Sequence, residues 1–175
     1  MRGFKQIWTG PRSRLSIAIT AAGFAGSLLA NNLVALAQDQ SAATTNDVIF
    51  ARKTMMSSIS DNMDQIETMI STAKIDIADA HEHADTISVM LMAFPHLFPP
   101  ASNQWKPGVD IDPVSGTFAS PDAWSKFPDF YQRAADASKI AFDMSRADKP
   151  DDLKAGAKQL RIACNACHAA YLKTQ

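Results

Sequence analysis

The chain has two cysteines. They stand three residues apart with a histidine directly after the second: Cys164-Asn165-Ala166-Cys167-His168. On a helix, positions i, i+3 and i+4 share one face. Two thiols placed this way can each add across a vinyl group of a haem, while the adjacent imidazole reaches the iron beneath. C-x-x-C-H is the attachment pattern of c-type haem. The expected cofactor is therefore one covalent haem c, held by Cys164 and Cys167 with His168 as the proximal axial ligand. Two other uses of the pair fit less well. A thioredoxin-like dithiol belongs in a βαβ context at a helix start, whereas this pair falls late in a terminal helical stripe. Structural zinc wants four ligands, there is no second cysteine pair, and His81 and His83 could complete a site only by coincidence of folding.

The elements that must position these groups all read as helix. Apolar residues at Val48, Met56, Ile59, Met63, Ile66 and Ile70 recur at steps of three and four after a first interval of eight. This predicts a first helix, with Asn46 or Asp47 as its N-cap. A second stripe runs through Ile77, Ala80, Ala84, Ile87, Leu91 and Phe94 and stops at Pro95. Residues 95–123 hold most of the prolines and no periodicity, and read as a long loop of the kind that is often functional. Ser125 is the expected cap of a third helix with Pro128 in its first turn. Phe127, Phe130, Tyr131, Ala134, Ala141 and Met144 form its expected buried side. A fourth helix opens on Asp151 and Asp152, which suit the positive helix end. Its stripe is Leu153, Ala157, Leu160, Cys164, Cys167 and Tyr171. Four such stripes with no strand alternation predict an all-α fold: an antiparallel four-helix bundle over residues 46–175, with covalently bound haem.

Length and composition set the outer bounds. The 175 residues are 46% hydrophobic and 20% charged, with a net charge of −1, which suits one globular domain rather than a disordered or collagen-like chain. Near-neutrality excludes a strongly basic nucleic-acid binder. Residues 1–37 differ from the rest. Arg2, Lys5, Arg12 and Arg14 precede an uncharged, mostly apolar run from Leu15 to Leu36, and Ala35-Leu36-Ala37 offers a small-x-small cleavage site. This predicts a cleaved signal peptide over 1–37, a flexible leader over 38–45 and export to the periplasm. Arg12-Ser13-Arg14 is not a paired-arginine signal, so the general secretory route is expected. A retained membrane anchor is the alternative, weakened by Asn31, Asn32 and two glycines in the run. Without residues 1–37, thirteen basic residues face eighteen acidic ones, a net charge of −5 over 138 residues, which is enough chain for one core.

With C-x-x-C-H on the last of four helices, the sequence resembles the class II c-type cytochromes: cytochrome c′ and its low-spin relatives. Other matching features are Arg52-Lys53 in the first helix, the P-x-x-W turn Pro121-Asp122-Ala123-Trp124, and Tyr171 three residues after His168. The resemblance covers about residues 46–173. It implies that the first helix lies over the distal face of the haem, with the side chain four residues beyond the arginine facing the iron. That side chain is Met56, which makes it the expected distal axial ligand, and Arg52 becomes a neighbour of the haem propionates. A thioether ligand stabilises ferrous haem and raises its potential. An apolar residue there would instead leave iron five-coordinate and open to small gases.

Methionine on a helical stripe is also common core filler, and this chain has eight. Met55 is adjacent but points about 100° away, and Met63 lies two turns along the same face. His81 and His83 flank Glu82 on an expected solvated face, and His96 in the loop has no assigned role. Many cytochromes c′ carry a basic residue directly after the tyrosine, where this chain has Leu172, a departure that favours electron transfer over proximal gas chemistry. Two function classes follow from the resemblance. One is a periplasmic electron carrier with His168/Met56 ligation. The other is a five-coordinate protein binding nitric oxide or carbon monoxide. Neither is an enzyme. The implied partners are an unidentified redox protein, no nucleic acid, a membrane only through a retained anchor, and a second copy in a homodimer.

Overall fold

The computed structural model describes residues 44–112 and 116–173. The expected signal peptide and most of the expected leader lie outside these residues. Four long helices and one single-turn helix account for the fold: α1 (Thr45–Ser71), α2 (Ile77–Ala93), α3 (Asp122–Ser125), α4 (Phe127–Met144) and α5 (Pro150–Tyr171).

Local chemistry sets where each helix begins. Thr44, not Asn46 or Asp47, caps α1. Its hydroxyl accepts from the Asp47 amide at 3.2 Å while its own amide donates to the Asp47 carboxylate at 2.9 Å, a capping box that satisfies two orphan donors at once. Thr45, expected in the leader, therefore opens the helix, and Thr44 caps it. At the far end, Ala73 adopts a positive φ of 54° just past the Thr72 cap and lets the chain reverse. Asp76 then caps α2 by accepting from the amides of Ala78 and Asp79. α5 opens on Pro150, whose missing N–H costs nothing in a first turn. Ser125 does not cap the third long helix. It ends α3, and Lys126 precedes α4 with no side-chain cap.

The four long helices form a ring with one thin seam. α1 packs on α2, α2 on α4 and α4 on α5, while α1 and α5 touch only lightly. The main core runs through Ile59, Met63 and Ile66 of α1, Ala84, Ile87 and Leu91 of α2, Ala137, Ala141 and Met144 of α4, and Leu153 and Leu160 of α5. Each fully buried aliphatic side chain here is worth about 1.5–3 kcal/mol of transfer free energy. Gly156 lets α5 approach α4 closely, since a Cβ there would stand 3.1 Å from Met144 Cγ. Most of the predicted stripes are buried as expected. In α1, however, Ile49 and Arg52 are buried while Val48 is only half-buried, and Tyr131 of α4 is exposed.

The long α2–α4 connection is more ordered than its sequence suggests. Pro95 ends α2, but the chain continues into two 3₁₀ turns, Phe94–Leu97 and Pro100–Ser102. These place Phe94 and Phe98 in a second apolar cluster with Ala123, Phe130 and Tyr171 at one end of the bundle. Further on, residues 118–120 run antiparallel to the end of α5: Ser120 N donates to Tyr171 O and Lys173 N to Phe118 O, both at 2.7 Å. No helix among the described residues is long and apolar enough to cross a membrane.

Candidate functional site

The α1–α5 seam is filled by a cavity of about 480 Å³, within the range of small-molecule and cofactor sites. α1 contributes Arg52, Met56 and Ser60, and α5 contributes Cys167, His168 and Tyr171. Phe94, Phe98 and Phe130 enter from the aromatic cluster, and Thr117 to Ala119 close one side. A smaller cavity of about 140 Å³ adjoins the same group and adds Cys164, Met63, Arg133 and Arg161. The residues of the C-x-x-C-H motif and the predicted distal methionine thus border one continuous region, although they come from opposite ends of the described chain.

α5 presents its three motif residues as helical spacing requires. Cys164 and Cys167 are both free and half-buried. Burial pushes both thiols above the ordinary cysteine range, so they stand as S–H groups at neutral pH. His168 is exposed at the cavity mouth, and the desolvation its ring retains there, helped by the positive charge of Arg161, lowers its pKa. The neutral imidazole that results is the form able to bind a metal.

Arg52 is the most unusual residue of the cavity wall. It is 4% exposed. Its Nη1 donates to Ser102 Oγ at 3.0 Å and its Nη2 to Ser102 O at 3.4 Å. The guanidinium also lies 4.5 Å from the centroid of the Phe98 ring and 5.3 Å from that of Trp124. Burial lowers its pKa to about 10, still far above neutrality, so it is charged. Among the described residues no carboxylate pairs with it. A buried cation on a cavity wall is stabilised when an anion joins it, and a ligand bearing acidic groups would find that partner here.

The other candidates have structural partners. His81 donates to Ala147 O at 3.0 Å and ties α2 to the α4–α5 connection. His83 donates to Asn62 Oδ1 at 2.7 Å and ties α2 to α1, so neither histidine is simply part of a solvated face. His96 packs edge-on against Tyr131, away from the cavity lining. Met55 packs into both core clusters. Met63 is 2% exposed in the main core and reaches only the smaller cavity. Leu172 is 44% exposed at the cavity rim.

Sequence reading missed three contributors: Ser102 and Phe98, which hold Arg52, and the 117–119 segment along the cavity. All three sit in the aperiodic connection, where no spacing signal exists to find them. Trp124 was visible through its P-x-x-W turn, and its indole N–H anchors that turn on Pro99 O at 3.2 Å.

The arrangement fits a haem. Two thiols can form thioethers, an imidazole and a thioether sulfur can ligate iron, aromatic walls can sandwich a macrocycle, and a buried guanidinium can meet a propionate. Comparison with known proteins agrees. Residues 47–172 match the family model described as Cytochrome C′. Cytochrome c-556 of Agrobacterium tumefaciens (strain II Chrys) is 32% identical over 125 residues, covering 69% of this chain and 92% of that protein. Cytochrome c′ of Rubrivivax gelatinosus superposes with a TM-score of 0.62 at 20% identity, over 74% of this chain and 97% of that one. Cytochrome c′ of Thermochromatium tepidum gives 0.65 at 16% identity, over 75% and 98%. None of these names is that of an enzyme. The chain belongs to the cytochrome c′ family of haem proteins.

Proposed function

We propose that the protein is an exported, periplasmic electron carrier in which Cys164 and Cys167 hold one haem c covalently, with His168 and Met56 as its axial ligands. The observation that carries this reading is that Met56, Cys167 and His168 line the same larger cavity, whereas Met55 lines neither cavity and Met63, 2% exposed, reaches only the smaller one. Bound there, the haem supplies a one-electron ferric/ferrous couple.

The chain's own groups account for the remaining requirements. Cys164 and Cys167 would hold the cofactor through their thiols, which can add across its vinyl groups with each S–H hydrogen passing to carbon, so no oxidant would be needed. His168 offers a neutral ring nitrogen. Met56 contributes a soft, uncharged donor that favours the reduced state. Arg52 would offset propionate charge, and Phe94, Phe98 and Phe130 would give the cofactor apolar walls. Phe50 of α1 and Val89 and Met92 of α2 are exposed at 71%, 61% and 64%, which supports a homodimer through these two helices. The redox partner is a second protein.

The visible spectrum of the purified holoprotein tests the reading. Six-coordinate low-spin bands with a far-red methionine–iron feature are expected. A five-coordinate high-spin spectrum with rapid carbon monoxide binding to the reduced form would replace the carrier with a gas-binding protein.

A further inference from the structure

We propose that Arg161 is a positioning residue for the distal ligand. By gripping Glu67 it holds α1 against α5 and sets how firmly the Met56 thioether stays on the iron. This inference rests on the reading of Met56 as that ligand.

The seam is where such a tie is needed. α1 packs mainly on α2 and α5 mainly on α4, so the two ligand-bearing helices have little apolar contact of their own. Among the described residues, every hydrogen bond and ion pair found between α1 and α5 belongs to Arg161. Its Nε donates to Glu67 Oε1 at 2.8 Å and its Nη2 to Glu67 Oε2 at 2.7 Å, a two-pronged fork, while Nη2 also reaches Asp64 Oδ1 at 3.3 Å. Glu67 lies three turns beyond Met56 on α1, about 16 Å along the axis, and Arg161 lies two turns before His168 on α5, about 10 Å. The ion pair and the two ligands therefore occupy successive levels of one antiparallel pair of helices. A rigid helix held at one level cannot swing freely at the next.

Geometry also fixes how large the effect can be. The Arg161 and Glu67 side chains are 36% and 42% exposed, so salt reaches the pair. An exposed pair is weak, but the planar fork makes this one stronger than a lysine could. A tie of this kind shifts the thioether's on–off balance by about 5-fold, equivalent to about 1 kcal/mol.

The test measures carbon monoxide association with the ferrous holoprotein, which must wait for the thioether to leave, alongside the far-red methionine–iron band. Glu67→Gln and Arg161→Gln should each raise the rate about 5-fold at low salt, and together should add nothing further. The charge-exchanged pair, Arg161→Glu with Glu67→Arg, should recover part of the loss, because Asp64 then faces a carboxylate. High salt should bring the wild type towards the variants. If the variants lower only the denaturation midpoint and leave the rate unchanged, Arg161 is merely structural and the inference falls. If Arg161→Gln acts but the joint removal of both α1 carboxylates, Asp64→Asn with Glu67→Gln, does not, the guanidinium works through its charge near the haem and the tie is again wrong. A high-spin wild type overturns both this inference and the ligation reading, whereas a low-spin wild type with unresponsive variants overturns the tie alone.

Discussion

The Arg52 guanidinium lies 4.5 Å from the centroid of the Phe98 ring, its charge held between an aromatic face and the Ser102 hydroxyl and facing the cavity. Arginine is needed because only its flat fork can stack on the ring while donating sideways. Arg52→Ala should destabilise the holoprotein by about 1.5–3 kcal/mol, the range for hydrogen bonds to a charged group. Chemical denaturation measures this. Arg52→Gln should lower the reduction potential by roughly 40 mV, since one positive charge fewer favours ferric iron by about 1 kcal/mol in a one-electron couple. Arg52→Lys should keep most of the potential and lose part of the stability.

Met56→Leu should convert the low-spin spectrum towards high spin and lower the potential, because leucine fills similar volume without a donor atom. Met63→Leu, in the main core, should leave the spectrum alone and cost under about 1.5 kcal/mol. An unchanged spectrum in Met56→Leu would remove it from the ligand set.

Replacing Cys164 and Cys167 with alanine should release the cofactor from covalent attachment. The haem of the double variant should pass into acidified organic solvent, whereas that of the wild type should stay with the polypeptide. Single variants should show the intermediate haemochrome spectrum of one remaining vinyl group.

Asp129 links α4 to the end of α5: it accepts from the buried Tyr171 hydroxyl and from Arg133 Nε at 2.7 Å. The Arg133 and Tyr171 hydrogen bonds, in that order, hold its carboxyl below the usual range. A carboxyl lowered in the folded state stabilises above its unfolded pKa, about 3.9, and loses that contribution as pH falls through the folded value. Asp129→Asn should therefore weaken the protein at pH 7 and converge with the wild type in acid. Denaturation curves across that range check the sign, and a penalty that persists at low pH would exclude the ionised link.

Gly156→Ala sets two effects against each other. Alanine gains about 1 kcal/mol of helix propensity, but its Cβ would stand 3.1 Å from Met144 Cγ and 3.2 Å from Met144 Cβ. Met144 is 2% exposed and hemmed in. Overpacking at about 1–3 kcal/mol should win, giving a small net loss in denaturation midpoint. Adding Met144→Ala should turn the same substitution favourable.

Much of this was legible in the residues. The helices could be placed because each carries a stripe at steps of three and four, and periodicity is local information. The motif on α5 was legible for the same reason, as its three side chains share one helical face. Arg52 and Met56 emerged from the family resemblance and their spacing on α1. What could not be read depends on contacts between distant segments. Nothing near Ser102 indicates that it will meet an arginine fifty positions earlier. The burial of Ile49 over Val48, and the exposure of Tyr131, were decided by how the helices rotate on one another, which a stripe defines only to within a residue. The Thr44 cap was missed because two good capping residues follow it, and Asp47 serves as the other half of the box.

The thin seam has a consequence for how the chain matures. Among the described residues, the hydrogen bonds from Arg161 that close it join positions 94 or 97 apart. A fragment that lacks either end holds only one of the two walls, and a growing chain cannot shape the pocket until its last long helix is made. Bringing the two ends together pays the entropy of closing a long loop before any contact rewards it. A molecule that bridges the gap therefore does the work of a clasp, drawing together the pair of helices that the polypeptide alone joins least.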